Sequence, residues 1–293
     1  MSRPSEEPEI EVWRVPAVPG LTLKRIARMQ RARSTYSEDY ALVALQAGAY
    51  ESWYRGELRT HDAGEVRLKQ PGHVTRGSRV LAPVTMQIAA FAPIVFEQAA
   101  TAMGRPSSPG SGTGCLLPGS RGARLSLAMH AALARGDATD LELGTLVAET
   151  LAEVVSESSR EGGARIAEAP RAIRRAREYL HEAFDSKVTL DAVAAHADLD
   201  KYHLVRAFRR EVGLPPYEYL THLRVARASR LLGRGVAPCE VAQAVGLYDE
   251  SQLCRHFRRI MGMTPGRYAL AMGSSSRQHH PRRATTAEAG SRP

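Results

Sequence analysis

Apolar positions change period along the chain. Over residues 10–100 they fall in short β-rich runs, among them Leu21–Arg28, Tyr40–Ala47, Glu65–Gln70 and Val80–Phe91, punctuated by Gly48, Gly56, Gly64, Pro71, Gly72 and Pro83. Closely spaced antiparallel strands of this kind predict a small barrel or sandwich. Gly104–Ala123, in which 13 of 20 residues are Gly, Pro or Ser, predicts a flexible loop. Helical spacing follows, over Leu125–Arg135 and then from a capping box, Thr139 with Glu142, to about Ser158. In that second helix Leu143, Val147, Thr150 and Val154 form a stripe, with Leu146 and Leu151 beside it. The stripe suits either a homodimer seam or a helix laid on its own barrel. Arg160–Ala169, which contains Gly162 and Gly163, predicts a linker, and Pro170 opens a helical last third.

That last third is written twice. A shift of 49 places sets Leu204 on Leu253, Arg206 on Arg255, Phe208 on Phe257, Gly213 on Gly262, Pro216 on Pro265 and Tyr219 on Tyr268. Each copy reads helix, turn, helix. Thr189 caps the first helix, Leu190–Ala197, and Pro238 opens its counterpart, Glu240–Val245. Asp200 and Asp249 cap the second helices, where a carboxylate suits free N–H groups and the positive end of the helix dipole. At 100° per residue Leu204, Ala207 and Phe208 oppose Tyr202, Val205, Arg206 and Arg209, so a core face backs a cationic one. In the second copy Leu253 and Phe257 oppose Ser251, Cys254, Arg255 and Arg258. Helix-turn-helix units place such a second helix in the major groove of DNA. A plain helical bundle with solvated arginines is the bland alternative, but core packing alone does not require Arg206 and Arg255 to correspond. Pro215 and Pro216 open a long helix, Tyr217–Leu232, that sets the distance between the two units.

Residues 171–270 resemble the DNA-binding domain of the AraC/XylS family of bacterial transcription regulators, through DKYHLVRAFRREVGLPPYEYL and GLYDESQLCRHFRRIMGMTPGRY. Leu247 and Leu253 stand where that family usually or often has phenylalanine, which keeps both positions apolar. The run Gly64–Val74 resembles part of the cupin-like sensor domain that many members carry first. The resemblance implies an α+β chain: a mainly-β cupin-like barrel with helices, then an all-α domain with two helix-turn-helix motifs joined by a long helix. It implies an effector-binding and dimerisation domain over 1–160, a linker over 161–169, a DNA-binding domain over 170–273 and a disordered basic tail over 274–293. The implied DNA contacts are Lys201, Tyr202, Val205, Arg206 and Arg209 with Glu250, Ser251, Cys254, Arg255 and Arg258. The implied partners are double-stranded promoter DNA, RNA polymerase, a small-molecule effector and a second copy of the chain, with activation as the family habit.

Charge agrees with that division. Residues 1–169 hold 19 Lys and Arg against 19 Asp and Glu, residues 170–270 hold 17 against 11, and the tail holds 4 against 1. The basic excess thus belongs to the repeat and tail, as phosphate binding requires. No run of about 18 apolar residues exists, and the start, MSRPSEEPEIEV, is unlike a signal peptide, so the cytoplasm is expected. Cys115, Cys239 and Cys254 form no Cys-x-x-Cys pair, and His61 and His73 no His-x-His, so neither a structural zinc nor a catalytic metal cage, cofactor or enzymatic activity is expected. Cys254 lies on the DNA face as a small neutral side chain, with a redox role as the alternative. Trp13, Tyr40, Trp53 and Tyr54 could line an effector pocket in the barrel mouth, with core packing as the simpler reading. Two rival functions remain: a metal-free ligand-binding or enzymatic cupin with a helical appendage, and an architectural DNA-binding protein without effector control.

Overall fold

A computed structural model of the chain describes residues 8–54, 56–105, 115–160 and 170–273. The proposed linker, the tail and most of the Gly/Pro/Ser-rich loop therefore lie outside the described residues. The N-terminal half is an antiparallel sheet of β1 (Glu9–Arg14), β2 (Leu21–Met29), β3 (Thr35–Tyr36), β4 (Tyr40–Tyr54), β5 (Glu57–Asp62), β6 (Val66–Lys69) and β7 (Val74–Phe91). The strand path is β1-β2-β7-β4-β5, with β3 also on β7 and β6 on β4. Strands β4 and β7 run well past the segments read from the sequence. Their ladder shifts register between Leu45 and Ala47, between Ala47 and Ala49 and again at Tyr50 and Ser52. Gly48 and Pro83 therefore mark bulges within long strands and do not end them.

The run Ala41–Leu45 is apolar at every position because both faces of the sheet are covered. Leu21, Leu23, Leu42, Leu68 and Phe91 face α1 (Pro93–Ala102), α2 (Arg121–Arg135) and α3 (Asp140–Arg160). Helix α1 escaped sequence reading, and α2 starts four residues before Leu125 because Ser120 caps it, accepting from the Ala123 amide at 3.1 Å. The capping box at the start of α3 forms, with Thr139 N donating to Glu142 at 2.8 Å and Glu142 N to Thr139 Oγ1 at 3.3 Å. Leu143, Val147, Thr150, Leu151 and Val154 are all buried within the chain. A homodimer would have to use another surface.

The opposite face, carrying Ile10, Val12, Ile26, Val43, Leu45 and Met86, is covered by the C-terminal domain. That domain comprises α4 (Arg171–Glu182), α5 (Leu190–Ala197), α6 (Lys201–Val212), α7 (Pro216–Gly233), α8 (Pro238–Ala244), α9 (Glu250–Met261) and α10 (Pro265–Gly273). Its first unit packs around Ile173, Leu180, Val193, Leu204, Phe208 and Tyr219, in a cluster that the sheet enters through Tyr36 and Val74. The second unit shares its core with the sheet: Val241, Leu253, Phe257 and Tyr268 pack in one cluster with Ile10, Val12 and Met86. Leu247 and Leu253, the two departures from the family pattern, are buried there. Helix α7 lies between the two cores, with Leu220 and Leu223 in the first and Val225, Ala228 and Leu232 in the second.

Candidate nucleic-acid interface

The duplication extends to side-chain geometry. Asp200 accepts from the Tyr202 and His203 amides at 2.9 and 3.0 Å, and Asp249 from Gln252 at 2.6 Å. The bond from His203, with that from Tyr202, holds the Asp200 carboxyl below the usual range, so the cap stays ionised at neutral pH. Thr189 and Pro238 open the preceding helices as their types require. Phe208 meets Tyr219 edge-on at 5.5 Å, and Phe257 meets Tyr268 edge-on at 5.4 Å. These paired rings anchor each second helix to the helix that follows it, leaving the opposite face free.

On that free face Lys201, Tyr202, Arg206 and Arg209 are exposed and Val205 is half-buried. In α9 Glu250, Ser251, Arg255 and Arg258 are exposed and Cys254 is half-buried. All ten residues expected at the interface are thus accessible, in matching positions on two helices. No carboxylate among the described residues pairs with Arg206, Arg209, Arg255 or Arg258, whereas Lys201 lies 3.5 Å from Asp191. Two exposed aromatics near these helices in sequence were missed: Tyr217 in the first turn of α7, and Tyr248 just before α9, which is 91% exposed. The signal for Tyr248 lay in the repeat, because its counterpart in the first copy is Leu199, a partly buried core residue.

The sheet domain grips this helical domain at several points. Glu38 lies 2.8 Å from Arg227 and 3.0 Å from Arg230, and Asp39 lies 2.8 Å from Arg230, so an acid pair clasps α7. Burial raises the Glu38 carboxyl, while the two arginines oppose that shift. Tyr219 reaches His181 at 2.8 Å, and His181 reaches Tyr36 of β3 at 3.4 Å. Both recognition helices end on left-handed glycines, Gly213 at φ 90° and Gly262 at φ 79°. Each is also a docking point: a Cβ on Gly213 would overlap the Trp53 ring, and one on Gly262 would overlap Ile10 and Arg33.

The four aromatics expected around one pocket are spread over three places. Trp13 and Tyr40 belong to the core under the helices, where Tyr40 stacks on Phe96 at 4.1 Å. Tyr54 is buried, with its hydroxyl accepting from the Gln70 amide and Arg67 lying 5.8 Å over its ring. Trp53 sits at the domain boundary against Gly213.

Sequence reading also missed a group of cations on the sheet face toward the helical domain. Lys24, Ile88, Val43 and Arg67 follow one cross-strand row. Burial pushes Lys24 down to about 8, helped by Arg33, and Lys69 down to about 7, helped by Arg67 and Lys24. Their ammonium groups donate to Met261 O at 3.2 Å and Thr35 Oγ1 at 3.1 Å, and no carboxylate among the described residues pairs with either. Arg67 is buried with Tyr50 and Ser52 hydroxyls as partners. Beside it the ligand atoms of His61, Glu65 and Cys115 lie within 4.8 Å of one another, a grouping that a search for His-x-His could not find. Burial, then Arg67, Arg59 and Lys69, push His61 down to about 3, and the same cations would oppose a divalent ion there. No helix among the described residues is long and apolar enough to cross a membrane.

This pairing of capped, arginine-faced helices defines a tandem helix-turn-helix protein. A helix-turn-helix domain family matches residues 193–271. The MmsAB operon regulatory protein of Pseudomonas aeruginosa is 31% identical over 91 residues, which are 31% of this chain and 30% of that protein. A Streptomyces antibioticus protein named for its likeness to AraC-type transcription regulators is 36% identical over 91 residues, again 31% of this chain and 30% of its own length. The match therefore spans less than a third of either relative. Over most of the chain the fold is that of ToxT from Vibrio cholerae: the apo form of a ToxT variant aligns with 87% of this chain and 98% of its own at a TM-score of 0.56 and 10% identity. The sequence similarity to these regulators lies in the C-terminal domain.

Proposed function

We propose that the chain is a sequence-specific DNA-binding transcription regulator whose N-terminal half governs the DNA-binding half. One observation carries this reading: α6 and α9 present equivalent exposed arginines, Arg206 with Arg209 and Arg255 with Arg258, on helices whose caps, core contacts and glycine ends are duplicated. Two such helices joined by a buried helix of 18 residues, roughly 27 Å long at 1.5 Å per residue, suit successive major-groove segments on one face of a duplex. The domain boundary at residues 161–169, promoter DNA and RNA polymerase as partners, activation as the sense of control and a cytoplasmic location belong to the same proposal. Mapping occupancy across its own genome tests it: discrete promoter-proximal sites support the reading, and uniform coverage supports an architectural role.

Control is assigned to the domain boundary. The Glu38–Asp39 clasp on α7 and the seating of Gly213 and Gly262 on the sheet tie the spacing of the two recognition helices to the sheet's position. The chemistry at that boundary favours a small organic anion as effector, because Lys24 and Lys69 bear a desolvation cost that a bound carboxylate or phosphate would offset. Without ligand, Lys24→Met and Lys69→Met are each expected to stabilise the protein at neutral pH, by about the 1–4 kcal/mol seen when a buried ion pair gives way to apolar groups of similar volume. Thermal denaturation reads this directly. A fall in Tm on both substitutions would mean that the ammonium groups hold the domains together and await no anion.

A further inference from the structure

The first recognition helix does not stand alone at the surface. A hollow of about 430 Å³ is lined by Arg206, Arg209 and Arg210 from α6 and by Trp53 and Arg76 from the sheet. Trp53 and Arg76 are cross-strand partners on β4 and β7, and the guanidinium of Arg76 lies 5.5 Å over the indole ring. The indole in turn rests on Gly213, where any side chain would displace it. A chain of contacts, Gly213 to Trp53 to Arg76, thus fixes an N-terminal cation beside the C-terminal end of α6. No carboxylate among the described residues pairs with Arg76, Arg206 or Arg209, and Arg210 is tied only to the neighbouring Glu211 at 2.8 Å. Four guanidinium groups around one hollow repel one another unless an anion enters it.

We infer that Arg76, held by Trp53, is a DNA phosphate contact supplied by the N-terminal sheet, so that the first half-site is bound by both domains and the second by α9 alone. This rests on the DNA-binding reading above. The C-terminal end of a recognition helix is where the duplex backbone passes, since the N-terminal residues of such a helix meet the base edges. The hollow opens there with Arg209, and its charge complements phosphate. At the end of α9 the N-terminal cations are instead turned inward: Arg33 covers the capping glycine with its Nη1 buried, and Lys24 donates to the Met261 carbonyl at 3.2 Å.

The test is binding of the full chain to a random-sequence duplex across a salt series, because a phosphate contact is independent of sequence. Loss of one contact reduces the salt slope by about 0.9, so between 50 and 200 mM salt Arg76→Ala should lose about 3.5-fold less affinity than the parent chain does. Trp53→Ala should do the same by releasing Arg76. Arg79→Ala, an equal change of charge on an exposed β7 residue that faces Glu51 and lies outside the hollow, should leave the slope unchanged. If Arg209→Ala flattens the slope while Arg76→Ala does not, the N-terminal contact is overturned and the DNA-binding reading stands. Equal flattening by Arg76→Ala and Arg79→Ala reduces the effect to net charge and also overturns it. Tighter binding on Arg76→Ala or Trp53→Ala would make this contact a block on DNA and overturn it as well. A parent chain that ignores duplex DNA at low salt removes both readings together.

Discussion

Arg206→Ala and Arg255→Ala should each cost about 1–3 kcal/mol on the true operator, roughly 5- to 150-fold in affinity, while changing random-sequence binding far less. Both guanidinium groups are exposed in the middle of their helices, one beside Tyr202 and Val205 and the other beside Ser251 and Cys254. A bidentate pairing of arginine with guanine O6 and N7 discriminates among bases, whereas a phosphate contact serves all sequences alike and steepens the salt dependence. Arg209 and Arg258, about one turn further along, should therefore behave differently. Their alanine variants are expected to weaken operator and scrambled duplexes together and to flatten the salt slope by about one each. The operator positions lost with Arg206 and with Arg255 should lie about one helical turn apart, because one buried helix sets the spacing of both units. Titrations of operator and scrambled duplexes at several salt concentrations separate the two classes. An unchanged ratio of specific to nonspecific affinity in Arg206→Ala and Arg255→Ala would mean that these helices do not read bases.

The helical domain was legible because its signals are local and repeated. Asp200, Asp249, Thr189, Gly213 and Gly262 each do in the structure what their residue types require at helix ends, and the shift of 49 places locates two equivalent cores. The sheet was legible in kind but not in extent. Gly48 and Pro83 look like strand ends in one dimension, yet partner strands carry β4 and β7 across them as bulges. Helix α1 was lost because its ten residues, PIVFEQAATA, begin immediately after a strand with only a first-turn proline to mark them. What sequence could not reveal is the pairing of surfaces. The segment Ile10 to Val12 reads as an ordinary strand, and only the fold shows that it completes the core of the second helix-turn-helix unit some 240 residues later. Glu38 and Asp39 carry no sequence signal of their own, and only the fold sets them on Arg227 and Arg230. Trp53 stands out in the sequence only as an aromatic for pocket lining or core packing, and the fold sets its ring against a glycine in the other domain.

Stability should fall steeply as pH drops from about 6.5 to about 4, and histidines should account for most of that fall. Burial pushes His130, His181 and His222 each down to about 4, with Arg177 and Arg227 adding to the effect at His181 and Arg259 and His256 at His222, while His61 falls to about 3. Each of these groups is neutral in the folded protein at a pH where the unfolded chain, near 6.5, already binds a proton. Their contribution is therefore fully present above about pH 6.5 and is lost as pH falls through the folded values. One proton taken up on unfolding tilts stability by ~1.4 kcal/mol per pH unit, so four give a limiting slope of ~5 kcal/mol per unit, against a total of about 5–15 kcal/mol for a typical domain. Glu38 and Glu65, whose carboxyls are raised by burial, tilt the curve the other way and reduce the net slope. Asp200 and Glu142, which are held low, act only below the carboxylate range and do not confuse the window. At His130 the Leu42 carbonyl partly opposes the effect of burial, whereas His222 Nδ1 is buried without a hydrogen-bond partner among the described residues. A proton on His222 Nδ1 would be an unpaired buried donor. His181 adds a consequence for the domain boundary, because the nitrogen that would be protonated is the one shared by Tyr219 and Tyr36. Denaturant unfolding at steps from pH 7.5 to 4 measures the slope, and His130→Gln and His222→Gln should each lower it by about one proton while costing some stability at pH 7.5. A free energy of unfolding that stays flat between pH 6.5 and 4 would show that these histidines titrate normally and that their burial is not what the packing implies.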